Sequence, residues 1–151
     1  AILWLTLFRD KIDDIMEQVK CPVAVFVNRQ YREGTTVSFV LGGMIDLFLF
    51  SYLDKMLQNG HSVRLFLFDT DDEEFRGRID DLQGRYPEQT MIVWFEGVED
   101  LVTEEKDGLL IMSHLSYTKL SEDEAVMREL SSLLVIRRNK NTGDKNEGLE
   151  N

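Results

Sequence analysis

The chain has 151 residues, 43% of them hydrophobic and 30% charged, which suits one globular domain or one domain with a fragment of another. Its formal net charge of −11 works against nucleic acid and anionic lipid head groups, since both repel it. Cys21 is the single cysteine, which excludes an intrachain disulfide and fits a reducing compartment; with only two histidines beside it, there is little material for a zinc site.

In chain order, Ala1 to Leu7 is a short apolar run of strand character. Asp10 is placed to cap a helix whose Ile12, Ile15, Met16 and Val19 follow the spacing of one buried face. Cys21-Pro22 stops it. Pro22 has no N–H to give and belongs at the start of the strand Val23 to Val27, with Cys21 expected to pack rather than react. Asn28 to Gly34 is polar and reads as a linker.

A longer unit follows. Thr36 to Leu41 is a strand ending in Gly42-Gly43, and Asp46 to Gln58 is a helix with Leu49, Phe50, Leu53, Met56 and Leu57 inward, closed by Asn59-Gly60. Val63 to Phe68 is almost wholly apolar, as a parallel strand covered on both faces must be. Phe75, Ile79, Leu82 and Tyr86 mark the next helix, Met91 to Phe95 a strand, Val98 to Val102 a short helix, and Leu109 to Ser113 another strand. Ser121 to Glu124 has capping-box spacing ahead of a helix with Val126, Met127 and Leu130 inward, and Leu133 to Ile136 is the last strand. Residues 139–151 form a polar tail, expected to be mobile.

Strands alternating with helices predict an α/β fold: a doubly wound, mainly parallel five-stranded sheet with helices on both faces, extended by the strand–helix–strand at the start. That opening unit also echoes the end of the chain. Ile15 to Cys21 aligns with Val126 to Ser132, and Val23-Ala24-Val25 then falls on Leu134-Val135-Ile136. A lone strand–helix–strand cannot bury both faces, so it must dock. The expected contact is strand 23–27 beside strand 133–137, covering an open edge; Val23, Val25, Val27, Leu134 and Ile136 are the interface candidates. The most apolar stretch, Phe39 to Leu53, is shorter than the roughly 18–20 residues of a spanning helix. No basic segment with a small-residue cleavage site precedes it. The chain opens on Ala1 rather than Met, as expected of one continuing from an upstream segment.

Three phrases carry a resemblance. Cys21 to Arg29, reading CPVAVFVNR, is similar to the "APCSVGILVDRG" phrase in the cytoplasmic tail of monovalent cation:proton antiporter-2 (sodium/hydrogen exchanger) proteins. Val37 to Asp46, reading VSFVLGGMID, is similar to that family's "FFGGxDDxEAL". Leu133 to Arg137 resembles the "PVLVVR" close of universal stress domains. The resemblance implies a universal-stress-like, Rossmann-type domain at 35–138, a remnant of a preceding repeat at 1–28, a linker at 29–34 and the tail at 139–151. It further implies a soluble regulatory or assembly domain on the cytoplasmic face of the inner membrane. Its partners would be the transport domain of the same polypeptide and a second copy, with a small-molecule ligand possible and no nucleic acid. The alternative is a stand-alone universal-stress-type sensor of small molecules or nucleotides.

The chain departs from the nucleotide-binding members of that group. Leu41 stands where they carry an Asp, and Met112-Ser113-His114-Leu115 keeps a Ser-His core while Met112 and Leu115 replace the glycines of a Gly-x-x-Gly loop. Those glycines let backbone N–H groups close on phosphates. No cofactor is therefore expected, ATP included.

Gly42 and Gly43 lie between a strand and a helix, where open α/β sheets bind ligands, and Ser113 and His114 end another strand at the same side of the sheet. With Asp46 they are the ligand-binding candidates. The plainer account is a tight turn with Asp46 as N-cap, and a loop Ser beside a partly exposed His. His61 reads as a surface residue after a helix C-terminus. Asp69, Asp71, Asp72, Glu73 and Glu74 offer oxygens to a hard cation but equally suit a helix start, and no metal site is assigned. No nucleophile–base or paired-carboxylate set can be nominated, so no catalytic residue and no enzyme activity is expected.

Overall fold

The computed structural model describes residues 3–7, 12–68, 70–103 and 106–138; Asp10, Asp69 and the 139–151 tail lie outside them. The elements are β1 (Leu3–Leu7), α1 (Ile12–Gln18), β2 (Val23–Val27), β3 (Val37–Leu41), a 3₁₀ turn (Met44–Leu49) running into α2 (Phe50–Gln58), and β4 (Val63–Phe68). Then come α3 (Glu73–Arg85), β5 (Thr90–Phe95), a second 3₁₀ turn (Val98–Leu101), β6 (Leu109–Ser113), α4 (His114–Leu120), α5 (Glu124–Met127) and β7 (Ser132–Arg137). Among the described residues no helix is long and apolar enough to cross a membrane.

The seven strands form one sheet in the order β1-β2-β7-β6-β3-β4-β5, parallel throughout except where β2 meets β7. Counted from β3, the five-strand part runs 3-2-1-4-5, the order of doubly wound sheets. The period-2 alternation of each strand sends side chains to two separate cores. One gathers Val25, Val40, Phe66, Met112 and Val135 under Met16 of α1, Tyr117 of α4 and Met127 of α5. The other gathers Phe39, Leu65, Ile111 and Ile136 under Leu53 of α2 and Phe75, Ile79 and Leu82 of α3. Helices therefore cover both faces.

Two helix starts differ from expectation. Residues 114–120 form α4, a helix not anticipated, and Ser121 is its C-cap rather than the head of a capping box. Asp123 caps the one-turn α5 instead, accepting from the Val126 N–H at 3.2 Å. The helix placed at 46–58 is a 3₁₀ turn followed by α2, and Gly43, not Asp46, is the N-cap of that turn. Cys21 is exposed rather than packed. Its backbone carbonyl accepts from Arg137, at the end of β7, at 2.7 Å.

The opening unit docks where its edge strand demands. Val23 pairs with Arg137, Ala24 with Ile136 and Val25 with Val135, in antiparallel register. Under the sequence alignment Ala24 corresponds to Val135 and Val25 to Ile136, so the ladder maps onto itself and a local twofold relates the two ends of the chain. The two arginines flanking the ladder do not align with each other, but the positions they bond to do. Arg137 donates to the carbonyls of Met16, Val19 and Cys21 around the end of α1. Arg29 donates to the carbonyls of Met127 and Leu130 at 2.7 and 3.2 Å, and its N–H reaches Ser132 Oγ at 2.7 Å. Met16, Val19 and Cys21 are the residues that align with Met127, Leu130 and Ser132. Each arginine satisfies carbonyls that a helix end leaves open. Partial burial lowers the Arg137 pKa from its usual guanidinium value, with the nearby Cys21 opposing that shift.

The stretch after β2 is anchored at its far end. Arg32 pairs with Asp107 at 2.8 Å, and Thr35 Oγ1 donates to the Asp107 carbonyl at 2.9 Å. Replacing Arg137 with Met keeps the stem and removes the three hydrogen bonds to the carbonyls around the end of α1, along with the one to the Arg138 carbonyl. The expected loss is about 2 kcal/mol of unfolding free energy. Urea unfolding checks it, and an unchanged midpoint contradicts the capping role.

Candidate functional site

The chain passes from β3 through β4 to β5 in one direction, then returns to lay β6 on the opposite side of β3. The crevice of an open α/β sheet forms at this reversal, beyond the carboxyl ends of the strands. Here those ends are Leu41, leading into Gly42-Gly43, and Ser113, leading into α4.

One side chain bridges them. Asp46 is fully buried, and its Oδ2 accepts from the Gly42 N–H at 2.6 Å and from the Ser116 hydroxyl at 2.9 Å. Ser113 Oγ in turn accepts from the Ser116 N–H at 3.1 Å and caps α4. Asp46 Oδ1 has no hydrogen-bond partner. A carboxylate in such a place costs free energy through its desolvation, offset by the charge-assisted bonds to its other oxygen.

The two glycines answer separate needs. Gly43 takes φ +134°, a conformation L side chains rarely adopt. At Gly42 an added Cβ would stand 3.2 Å from both Asp46 Oδ2 and Ser116 Oγ, crowding the clamp itself. The pair is thus a turn built around a buried carboxylate.

Above the clamp lies a crevice of about 250 Å³, with Gly42 and Ser116 on its floor and Ile45, Phe68, Leu115 and Lys119 among its walls. Of the five sequence-predicted residues, the structure brings Gly42, Asp46 and Ser113 together around this floor, and Gly43 shapes the adjoining turn. His114 goes elsewhere. As the first residue of α4 it turns toward α1, with Nε2 3.1 Å from Asp13 Oδ1 and its ring stacked near Tyr117. Met112 is wholly buried within β6, so of the two residues standing for the loop glycines only Leu115 reaches the crevice.

Sequence reasoning missed Ile45, Phe68, Ser116 and Lys119, and took Leu115 only as a replacement for a loop glycine. Leu115 and Lys119 carried a usable signal, an i, i+4 pair directly after a strand end. The interface candidates are consumed within the chain: Val23, Val25, Val27 and Ile136 are buried, with Leu134 half-buried, in the β2–β7 join.

The acidic run after β4 starts a helix. Asp72 Oδ1 accepts from the N–H groups of Glu74 and Phe75 at 3.0 and 3.2 Å, with Glu73 and Glu74 in the first turn of α3. No group of three or more His, Cys, Asp or Glu able to hold a metal occurs among the described residues. A broader cleft of about 1040 Å³ opens at the opposite ends of β3, β4 and β5, where exposed His61 is one of the wall residues. Its walls are mostly loop residues, and it lies away from the strand reversal.

No protein-family model, no curated protein and no solved structure matches the chain.

Replacing Asp46 with Ala strands the Gly42 N–H and the Ser116 hydroxyl, with an expected loss of about 2 kcal/mol. Gly43→Ala is expected to cost about 1 kcal/mol through its backbone alone. Chemical denaturation of the two variants checks both, and an Asp46→Ala protein as stable as the parent contradicts the clamp.

Proposed function

We propose that the chain is a non-catalytic regulatory and assembly module, the cytoplasmic-face domain of a bacterial monovalent cation:proton antiporter, acting through its crevice and through contacts with other domains. The observation that carries this reading is the make-up of the crevice. Its polar floor is committed to an internal clamp, and its walls are mostly apolar, with Thr70 and Lys119 the polar side chains among them, so it is suited to holding a ligand rather than to transforming one. The phrases around Cys21 to Arg29, Val37 to Asp46 and Leu133 to Arg137 give the antiporter assignment its support, and the five-strand order is compatible with a universal-stress-like domain. The local twofold between the two ends of the chain agrees with an opening segment left from a preceding repeat.

Assembly, in this reading, runs through β5. The edge of β7 is covered by β2, which leaves β1 and β5 as the outer strands of the sheet; Thr90–Phe95 carries no charge and no proline and exposes Met91 and Trp94, the latter under the Arg76 guanidinium at 4.4 Å. Unguarded apolar edges invite pairing with another chain. A Met91→Lys variant is expected to shift the chain toward monomer in light scattering at high concentration; identical masses for variant and parent contradict assembly through this edge.

Leu115 stands in the first turn of α4, where a phosphate grip would need a bare backbone. Millimolar ATP is accordingly expected to leave the melting temperature unchanged, and a rise of several degrees would contradict a crevice unsuited to triphosphates. The antiporter assignment is tested by the reading frame upstream of Ala1: a series of apolar spans of about 20 residues each is expected there. A frame without them removes the assignment and leaves the stand-alone sensor.

A further inference from the structure

We infer that the crevice between the β3 turn and α4 receives an amphipathic monocarboxylate, its apolar chain on the crevice walls and its carboxylate at Lys119; this rests on reading the crevice as a ligand site. Five large apolar side chains stand exposed among the described residues, and three of them converge here: Ile45 at 45%, Phe68 at 42% and Leu115 at 48%. Single exposed apolar residues need no explanation, but a cluster does. These three come from separate elements, the 3₁₀ turn after β3, the last residue of β4 and the start of α4, so the fold gathers them rather than one amphipathic segment. Phe95, at the end of β5, stacks edge-on against Phe68 with centroids 5.5 Å apart and completes the apolar wall.

The polar groups fix the sign and direction of the ligand. The Ser116 hydroxyl donates its hydrogen bond to Asp46, which leaves Thr70 and Lys119 as the side-chain donors lining the crevice. Lys119 lies one helical turn beyond Leu115, on the same edge of α4. In a chain of net charge −11, a cation at the mouth selects for an anion locally, while Asp46 beneath the floor disfavours a second negative charge deeper in. A single charge held outward with an apolar tail inward meets both conditions. At about 250 Å³ the space falls below the roughly 300–1,000 Å³ of pockets that take drug-sized ligands, and suits one medium-length chain.

The test is calorimetric titration of the intact chain with octanoate, octanol and octyltrimethylammonium, repeated on Leu115→Glu, Ile45→Gln and Lys119→Gln. All three positions are on the surface, and circular dichroism confirms folding. Saturable octanoate binding is expected, lost in Leu115→Glu, weakened in Ile45→Gln and weakened about five- to tenfold in Lys119→Gln. Equal binding of octanol or octyltrimethylammonium overturns the anion selectivity. Octanoate binding unaffected by Leu115→Glu and Ile45→Gln places the ligand elsewhere and overturns the site. Absence of octanoate binding overturns the ligand class while leaving the module reading to the upstream reading frame, which does not depend on it.

Discussion

A fully buried carboxylate holds the crevice end of this molecule together. Asp46 reaches back to the Gly42 N–H and across to the Ser116 hydroxyl, 70 residues away in sequence, so β3 and α4 are tied at the point where the strand order reverses. Such a bond does more than fasten two elements. It commits the Ser116 hydroxyl hydrogen, crowds any side chain at position 42, and fixes the helix edge on which Leu115 and Lys119 stand. The apolar character of the crevice follows from that commitment. Removing one partner would leave buried donors without acceptors, which is why a polar bridge in an apolar setting specifies geometry so strictly.

The same economy governs the other end of the sheet. An isolated strand–helix–strand leaves one face and both edges open, and the chain closes one of those edges by pairing β2 antiparallel to β7. Arg29 and Arg137 then cross over, each taking the open carbonyls of the other unit's helix end. Six backbone or hydroxyl acceptors are satisfied by two residues, and the helices they secure lie on one face of the sheet, feeding a single core around Val25 and Val135. With this edge consumed, the described surface concentrates its exposed apolar residues at the crevice and along β5.

The sheet was legible because its strands are short, nearly continuous apolar runs such as Val63 to Phe68, bounded by Gly, Pro or Asp. The docking of strand 23–27 beside the last strand was legible too, since an orphan edge has few places to go. Hidden elements had conflicting local signals. His114 to Leu120 contains Tyr and Thr and only two turns of helix, so its periodicity is weak, while Ser113 supplies the cap that makes it a helix. Asp46 reads locally as an N-cap; its actual partner Ser116 is distant, and tertiary bonding overrode the local preference. Gly42 and Ser113 could be placed at the site from strand ends alone. The direction of His114 could not, because a one-residue shift into a helix turns the side chain toward α1. Ile45 and Phe68 could not be picked out because an exposed apolar residue and a core one look alike in sequence.

Amide exchange at Gly42 tests the clamp most directly, without altering the protein. A hydrogen bonded to a buried carboxylate opens only with β3 and α4, so the Gly42 amide is expected to exchange as slowly as the central strand amides of β3. Exchange at the rate of an exposed loop would show that the carboxylate does not hold the turn, and the crevice built upon it would lose its foundation.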